Sequence, residues 1–236
     1  MIDQNKVFCD GEGNAWWHRN RDYLNSAEAI ERDWPLKLLE RNDLKPKRVL
    51  EVGCANGWRL KEVVRRYGAR CAGFDASAVA VAEGKGTPDK EPGVHLWVGD
   101  AVDGSNYHAG YQGYDLVIVN FVLHWVDRGS LLGVVRNVDD ALGMGGHLII
   151  GDFWPGVWPH AFLKRRYHHR QDVEVWTYKA DYAALFRATG MYRGIDQQII
   201  DYATGEAIGA WENTWTNEAA MACCSLLVKE EQYKCE

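Results

Sequence analysis

One stretch near the start of the chain, residues 48–57, constrains the fold more than any other. It begins with an apolar, β-branched run typical of a buried strand and continues with two glycines, Gly53 and Gly57, that predict a turn. Apolar residues then recur at helical spacing up to Gly68, a residue type that often caps helix C-termini. The recurring positions are Leu60, Val63, Val64 and Tyr67. A strand, a glycine turn and a helix in this order allow a ligand to approach the backbone closely.

The spacing of the glycines differs from that of a dinucleotide-binding loop. The pattern G-x-G-x-x-G would require glycine where the chain has Trp58, and the residues instead fit G-x-A-x-G through Ala55. A second predicted strand ends at Asp75, 22 residues after Gly53. A carboxylate at that position can accept hydrogen bonds from both hydroxyls of a ribose. The alternative is that Asp75 caps the helix that follows.

Predicted strands and helices alternate along most of the chain. Further strands are predicted at residues 95–101, 114–120 and 146–152, and this alternation predicts a parallel sheet with helices on both faces. The last two predicted strands, at residues 195–202 and 221–229, have no strong helical signal between them, so they predict a hairpin. We therefore expect an α/β fold: a doubly wound, mostly parallel seven-stranded sheet with an antiparallel last strand.

No internal repeat or interdomain linker interrupts this pattern, so we expect residues 1–236 to form a single domain. Residues 1–47 precede the first parallel strand and predict a helical lid over the ligand. The alternative for this segment is a surface helix that packs on the sheet. Residues 153–180 are rich in aromatic and basic side chains and predict an insertion on the substrate side of the sheet.

Charge and composition narrow the classes of partner. The net charge of −6 argues against nucleic acid as the main partner. No apolar run approaches the roughly 20 residues needed to span a bilayer. The first residues lack the apolar core of a signal peptide, so we expect a cytoplasmic protein without a membrane partner. The six cysteines lack metal-binding spacing, which predicts reduced thiols and no metal site.

Five segments, in order along the chain, resemble the motifs of class I S-adenosylmethionine (SAM)-dependent methyltransferases. They are Glu51-x-Gly53-x-Ala55-x-Gly57, Gly73-Phe-Asp75-Ala-Ser77, Val98-Gly-Asp100-Ala101, the strand at 114–120 and Gly145-Gly-His-Leu-Ile-Ile. The resemblance implies that the cofactor is SAM. It implies cofactor contacts at Gly53, Cys54, Asn56, Gly57, Asp75, Ala76, Ser77, Asp100, Ala101, Asn120 and Phe121. In this assignment Asp75 holds the ribose, Asp100 lies at the adenine, and Asn120 lies at the methionyl end.

Two segments, residues 11–20 and 167–182, are similar to bacterial methyltransferases associated with sugar and surface-polysaccharide biosynthesis. This resemblance implies a substrate of the sugar or nucleotide-sugar type. The candidate substrate contacts are Trp17, Arg19, Trp125, His168, His169 and Tyr178. The alternative for His168 and His169 is a solvated basic face shared with the neighbouring lysine and arginines. If the basic cluster is functional, it would suit an anionic substrate.

His124 follows the predicted fourth strand, at the edge where such sheets bind ligands. A hydroxyl group must lose its proton when it is methylated, and His124 is the best-placed candidate base. The alternative is a structural histidine packed under Trp125. DNA methyltransferases that modify amino groups resemble one another in an Asn/Asp-Pro-Pro-aromatic motif at this point, whereas the chain reads Asn120-Phe-Val-Leu.

These observations favour a SAM-dependent methyltransferase that acts on a small molecule, with methylation of oxygen expected. Two alternatives stay open: a non-catalytic SAM-binding regulator, and an NAD(P)-dependent oxidoreductase on a related fold. The sequence pattern leaves the acceptor atom and the oligomeric state open.

Overall fold

The computed structural model describes residues 3–86, 93–111, 113–155, 163–170, 172–209 and 221–230. The strands are β1 (Arg48–Val52), β2 (Arg70–Asp75), β3 (Val94–Val98), β4 (Tyr114–Asn120), β5 (Leu142–Phe153), β6 (Leu163–Arg166), β7 (Trp176–Lys179), β8 (Tyr192–Asp201), β9 (Ala207–Ile208) and β10 (Met221–Lys229). The α-helices are α1 (Gln4–Val7), α2 (Gly13–Leu24), α3 (Ala27–Arg32), α4 (Trp34–Arg41), α5 (Trp58–Tyr67), α6 (Ala78–Gly86), α7 (Arg128–Ala141) and α8 (Tyr182–Arg187). A π-helical turn spans Phe8–Glu12 and a 3₁₀ turn spans Gly104–His108. Within the described ranges, no helix combines the length and apolar character needed to cross a membrane.

Eight strands form the main sheet, in the order β3-β2-β1-β4-β5-β10-β8-β9. All neighbours from β3 to β5 are parallel, whereas β10 is antiparallel to both β5 and β8. This topology confirms the predicted doubly wound, mostly parallel fold with an antiparallel last strand. The described sheet has eight strands instead of the predicted seven, because the two-residue strand β9 pairs with the outer side of β8.

Helices cover both faces of this sheet, as the alternation of elements requires. Successive residues of a strand point to opposite faces. Val49 of β1 belongs to a buried cluster with α4 and α5, and Leu50 belongs to a second cluster with α7 and α8. The predicted apolar face of α5 is buried at Leu60 and Val63, and Gly68, with a φ of 66°, ends the helix.

The N-terminal elements lie across the carboxyl edge of the sheet. Trp17 of α2 is fully buried and packs with Ala55, which follows β1, and with Ala80 of α6. The side chain of Gln4 donates a hydrogen bond of 2.7 Å to the carbonyl oxygen of Trp125, in the loop after β4. These contacts place the segment where a lid would lie, and its function as a lid stays a prediction.

The described part of the predicted insertion contains a β-hairpin. Strands β6 and β7 pair in antiparallel fashion and form a small sheet of their own. The backbone N–H of Tyr178 in β7 donates to the carbonyl oxygen of His124 at 2.9 Å, which ties the hairpin to the loop after β4. Residues 156–162 and Gln171 of the insertion lie outside the described residues.

Candidate active site at the carboxyl edge of the sheet

The turn after β1 has a backbone conformation that most residues avoid. Gly53, Ala55 and Gly57 all have left-handed φ angles, of 71°, 50° and 73°. A Cβ atom on Gly53 would overlap the side chain of Val122, so this position requires glycine for space as well as for conformation. Left-handed geometry at Ala55 costs roughly 1–2 kcal/mol. The turn therefore keeps a strained, side-chain-poor surface, which suits the close approach of a ligand.

Asp75, at the end of β2, faces this turn. Its carboxylate accepts hydrogen bonds from the backbone N–H groups of Ala55, at 2.8 Å, and Ser77, at 2.7 Å. Burial raises the pKa of the Asp75 carboxyl group, although both N–H groups act in the opposite direction. The helix-capping role considered for Asp75 belongs to Ser77, whose Oγ accepts from the N–H of Ala80 at 3.1 Å. Because a carboxylate has about four acceptor positions, Asp75 keeps capacity for ribose hydroxyls beside the turn.

Two residues of the N-terminal segment, Asn5 and Asn14, form hydrogen bonds with residues that are predicted to bind the nucleoside. Asn5 Nδ2 donates to Asp100 Oδ2, and the N–H of Val102 donates to Asp100 Oδ1 at 2.8 Å. Asn14 Oδ1 accepts from Ser77 Oγ at 2.9 Å. An adenine bound to Asp100 would therefore share or replace the contact with Asn5.

A cavity of about 700 Å³ lies over the carboxyl ends of β1, β4 and β5, with α2 and the β6–β7 hairpin contributing to its walls. The predicted site residues that line it are Arg19, Gly53, Cys54, Asn120, Phe121, His124, Trp125, His168 and His169. The predicted site residues that do not line it are Trp17, Asn56, Gly57, Asp75, Ala76, Ser77, Asp100, Ala101 and Tyr178. The cavity therefore joins the predicted methionyl end of the site to most of the predicted substrate contacts, and the predicted nucleoside contacts lie outside it.

His124 lines this cavity, and Asp152 at the end of β5 lies behind it. His124 Nδ1 is 2.9 Å from Asp152 Oδ1, although the ring N–H is not aimed at that oxygen well enough for a hydrogen bond. The backbone N–H of His124 donates to Asp152 Oδ2 at 3.1 Å. Both side chains are buried, with exposed fractions of 8% and 2%. In the sequence, Asp152 stands at the end of a predicted strand, and no role is predicted for it. The available signal is that this strand follows the predicted strand that leads to His124.

Aromatic rings surround His124. Phe121 has a left-handed φ of 56°, and its ring meets those of Phe153 and Tyr202 edge-on at 5.2 Å. The Phe153 ring also packs edge-on against His124, with 4.9 Å between ring centroids. Neither Phe153 nor Tyr202 is among the site residues predicted from the sequence. Tyr202 reaches the site from the end of β8, and no local pattern in the sequence predicts that contact.

A family model for the methyltransferase domain matches residues 16–193. The chain belongs to this methyltransferase family. Its solved structural neighbours include methyltransferases, two of them in complex with S-adenosylhomocysteine. No curated protein matches the sequence significantly.

Three solved structures illustrate the similarity of the fold. The N-methyltransferase NodS from Bradyrhizobium japonicum, in complex with S-adenosyl-L-homocysteine, has a TM-score of 0.62 at 14% identity, over 97% of this chain and 100% of that chain. The 1,6-didemethyltoxoflavin-N1-methyltransferase from Burkholderia thailandensis has a TM-score of 0.64 at 15% identity, over 92% of this chain and 85% of that chain. An O-methyltransferase family protein from Burkholderia thailandensis has a TM-score of 0.56 at 14% identity, over 96% of this chain and 60% of that chain.

The methyltransferase site fits SAM in its own geometry. The turn at Gly53 has no room for a side chain, and the carboxylate of Asp75 points at that turn. Asn120 and Phe121 line the cavity beyond it. The oxidoreductase alternative does not fit, because Trp58 stands at the third glycine position and β10 is antiparallel. Among the described residues, no group of three or more His, Cys, Asp or Glu side chains could hold a metal ion.

The structure corrects one of the two predicted substrate contacts on α2 and gives the other a partner within the chain. Trp17 is fully buried, whereas its neighbour Trp16 lines the cavity. Arg19 lines the cavity, but its Nη2 already donates to Glu12 Oε1 at 2.5 Å and to the hydroxyl of Tyr167 at 2.7 Å. Arg19 therefore links α2 to Tyr167, which directly follows β6, and its charge is paired with the carboxylate of Glu12.

Tyr178 reaches the site through its backbone instead of its ring. The ring packs under the guanidinium of Arg128, 4.3 Å from the ring centroid, and it does not line the cavity. Trp125 does line the cavity, and its ring contacts that of Tyr167 at 4.4 Å. The rings of His124 and Trp125 lie 6.1 Å apart, so Trp125 is a neighbour of the histidine and not a cover over it.

His168 and His169 line the cavity on the hairpin side, and both are exposed. Their ring centroids are 3.9 Å apart. Partial desolvation lowers the pKa of His169, and its neighbours His168 and Arg19 lower this pKa further. Because the two histidines face both the cavity and the solvent, their position suits substrate contacts as well as a solvated basic face. The role of this pair in substrate binding stays a prediction.

Proposed function

We propose that this methyltransferase transfers the methyl group of SAM to a hydroxyl oxygen of a small molecule, with His124 as the base. The observation that carries the proposal is the position of His124 in the cavity wall, with its Nδ1 2.9 Å from Asp152 Oδ1. SAM supplies a methyl group that its sulfonium sulfur has already activated. The protein therefore has to align the acceptor, exclude water and accept the acceptor's proton.

The geometry of His124 and Asp152 suits this proton transfer. The acceptor oxygen bonds to the methyl carbon while the carbon–sulfur bond breaks, and the hydroxyl proton passes to His124 Nε2. The carboxylate of Asp152, close to Nδ1, favours the tautomer with a proton on that nitrogen, which leaves the lone pair of Nε2 available. Because both side chains are almost excluded from water, this electrostatic support is stronger than at a surface.

The acceptor that we propose is a polar small molecule of the sugar or nucleotide-sugar type. Among the described residues, nine aromatic side chains line the cavity, namely Trp16, Tyr23, Trp34, Trp58, Phe121, Trp125, Phe153, Tyr167 and Tyr202. Such walls favour an acceptor with a ring that can lie flat against them. The cavity volume of about 700 Å³ suits a small molecule. The didemethyltoxoflavin methyltransferase was solved with a small-molecule ligand, which is compatible with this class of acceptor.

Steady-state kinetics of three variants test the role of His124. His124→Ala should lower kcat by roughly 10²–10⁴-fold because the base is lost. Asp152→Asn should lower kcat by about a hundredfold through poor orientation of the imidazole. His18→Ala is the matched control, because His18 is exposed on α2 and does not line the cavity. Unchanged kcat in the first two variants would show that neither side chain handles the proton.

The product distinguishes this proposal from its alternatives. Incubation of the enzyme with ¹³C-methyl SAM and a small-molecule extract should give a product whose methyl carbon has the NMR shift of a methyl ether. A methylamine signal that survives in His124→Ala would instead indicate an amine acceptor that needs no base. A protein that binds SAM in calorimetry but labels no acceptor would match the non-catalytic regulator.

A further inference from the structure

Positive charge is concentrated in the cavity of a protein that is acidic as a whole. The chain carries a net charge of −6, yet the described residues around the cavity include six Lys or Arg side chains and only three Asp or Glu side chains. The cations are Arg19, Arg32, Arg59, Arg165, Arg166 and Lys179, and the acids are Asp33, Glu51 and Asp152. A cleft lined mainly by one sign of charge attracts ligands of the opposite sign.

The β6–β7 hairpin adds exposed positive charge to the cavity. Three cations from other parts of the wall form ion pairs within the chain, namely Arg19–Glu12 (2.5 Å), Arg32–Glu28 (2.9 Å) and Arg59–Asp33 (2.7 Å). Arg165 and Arg166 form no ion pair with any residue that the structure describes, and both are exposed. An anion in the cavity would therefore meet the hairpin as its main source of positive charge.

The pairing register places Arg165 and Lys179 on one face of the hairpin. Arg165 lies opposite Thr177, and Lys179 is two residues further along β7, so the two cations are diagonal neighbours. Arg165, Thr177 and Lys179 all line the cavity. Lys164 is on the other face, with its Nζ 3.8 Å from the ring centroid of Trp176, and it does not line the cavity.

Lys179 brings this positive charge close to His124. Lys179 is only 7% exposed, and its Nζ is 5.3 Å from the ring centroid of Phe153. The same ring packs against His124 at 4.9 Å. The hydrogen bond from the backbone of Tyr178 to His124 keeps β7 beside the loop that carries the proposed base. A ligand group held by the hairpin face would thus leave the remainder of the ligand next to His124.

We infer that the acceptor carries an anionic oxygen group, a carboxylate or a phosphate, and that Arg165 and Lys179 bind it. This inference rests on the proposed function, because it concerns the acceptor of that reaction. Arg165 supplies a planar pair of N–H donors and Lys179 supplies a compact charge, and both groups form strong hydrogen bonds with anionic oxygens. The anionic group contributes to binding only, and it keeps its charge in the product because the methyl group is transferred to a hydroxyl.

Anion-exchange chromatography of the labelled product tests the charge and does not require that the acceptor be identified. The enzyme is incubated with methyl-tritiated SAM and a deproteinised small-molecule extract of cells that carry the gene. We expect the labelled product to be retained on the anion exchanger at neutral pH. Loss of retention after treatment with phosphodiesterase followed by alkaline phosphatase assigns the charge to a phosphate, and continued retention assigns it to a carboxylate. Labelled product in the flow-through would overturn the inference and leave the methyl-transfer proposal intact, whereas the absence of any labelled product would overturn both.

Kinetics with the retained acceptor fraction test the two residues. Arg165→Gln and Lys179→Met should each raise the KM for the acceptor about tenfold or more, with kcat and the KM for SAM nearly unchanged. Lys164→Gln removes a cation from the opposite face of the same hairpin and should leave all three constants unchanged. If Lys179→Met folds poorly because this side chain is buried, Arg165→Gln still tests the inference, since Arg165 is exposed. A rise in the KM for SAM instead of the acceptor would overturn the inference, because it would assign the hairpin cations to the cofactor carboxylate.

Discussion

Replacing Glu51 by glutamine tests how a buried carboxyl group affects the stability of the fold beside the turn after β1. Glu51 lies two residues before Gly53 and is 1% exposed. Its Oε1 accepts from the guanidinium of Arg59, which also donates to Asp33. Glu51 Oε2 is buried and has no hydrogen-bond partner among the described residues. A carboxylate in this environment is less well solvated than in the unfolded chain.

The expected magnitude follows from proton linkage. Burial raises the pKa of Glu51 from 4.5 to about 7, even though the charge of Arg59 acts to lower it. The folded protein holds this proton more tightly than the unfolded chain, so the bound proton stabilises the folded state. This stabilisation is fully present below the unfolded pKa of 4.5 and is lost as the pH rises through the folded pKa of about 7. At about 1.36 kcal/mol per pKa unit, the loss between pH 5 and pH 8 is about 2–3 kcal/mol.

Urea unfolding at several pH values between 5 and 8 measures this loss. Glutamine resembles the neutral acid at every pH, so the free energy of unfolding of Glu51→Gln, relative to wild type, should rise by about 2–3 kcal/mol across this range. Glu40→Gln is the control, because the Glu40 side chain is 76% exposed, and its stability curve should run parallel to that of wild type. Parallel curves for wild type and Glu51→Gln would refute the reasoning.

Three further predictions concern the cofactor turn and α2. Gly53→Ala should weaken S-adenosylhomocysteine binding in calorimetry by about tenfold or more, because its Cβ would overlap the side chain of Val122; an unchanged affinity would show that the turn has room. Asp75→Asn should lower the same affinity by about tenfold through loss of ribose hydrogen bonds, and equal binding would remove Asp75 from the ribose site. Trp17→Ala should lower the free energy of unfolding by about 3–5 kcal/mol because the side chain is fully buried, whereas Trp16→Ala should change it much less; equal losses in urea unfolding would contradict this difference.

The layered fold and the glycine turn after β1 could be predicted from the sequence because their signals are local. The apolar run of β1 and the glycine spacing at Gly53 and Gly57 depend on residues within a few positions of one another. The order of strands and helices then limits the sheet to a doubly wound arrangement. Asp75 belongs to the same set, because the end of a strand adjacent to β1 must lie at the same edge as the turn.

The composition of the cavity wall depended on contacts between distant segments. Asp152 meets His124 across 28 residues because β4 and β5 are parallel neighbours whose carboxyl ends lie together. The hydrogen bond from Arg19 to Tyr167 spans 148 residues, and it gives Arg19 a partner that no pattern around α2 predicts. Short-range periodicity specifies which elements form, but it does not specify which side chains of separate elements meet. The sequence therefore determined the layered fold and the glycine turn after β1, and the tertiary structure decided which acids, cations and aromatic rings surround the proposed base.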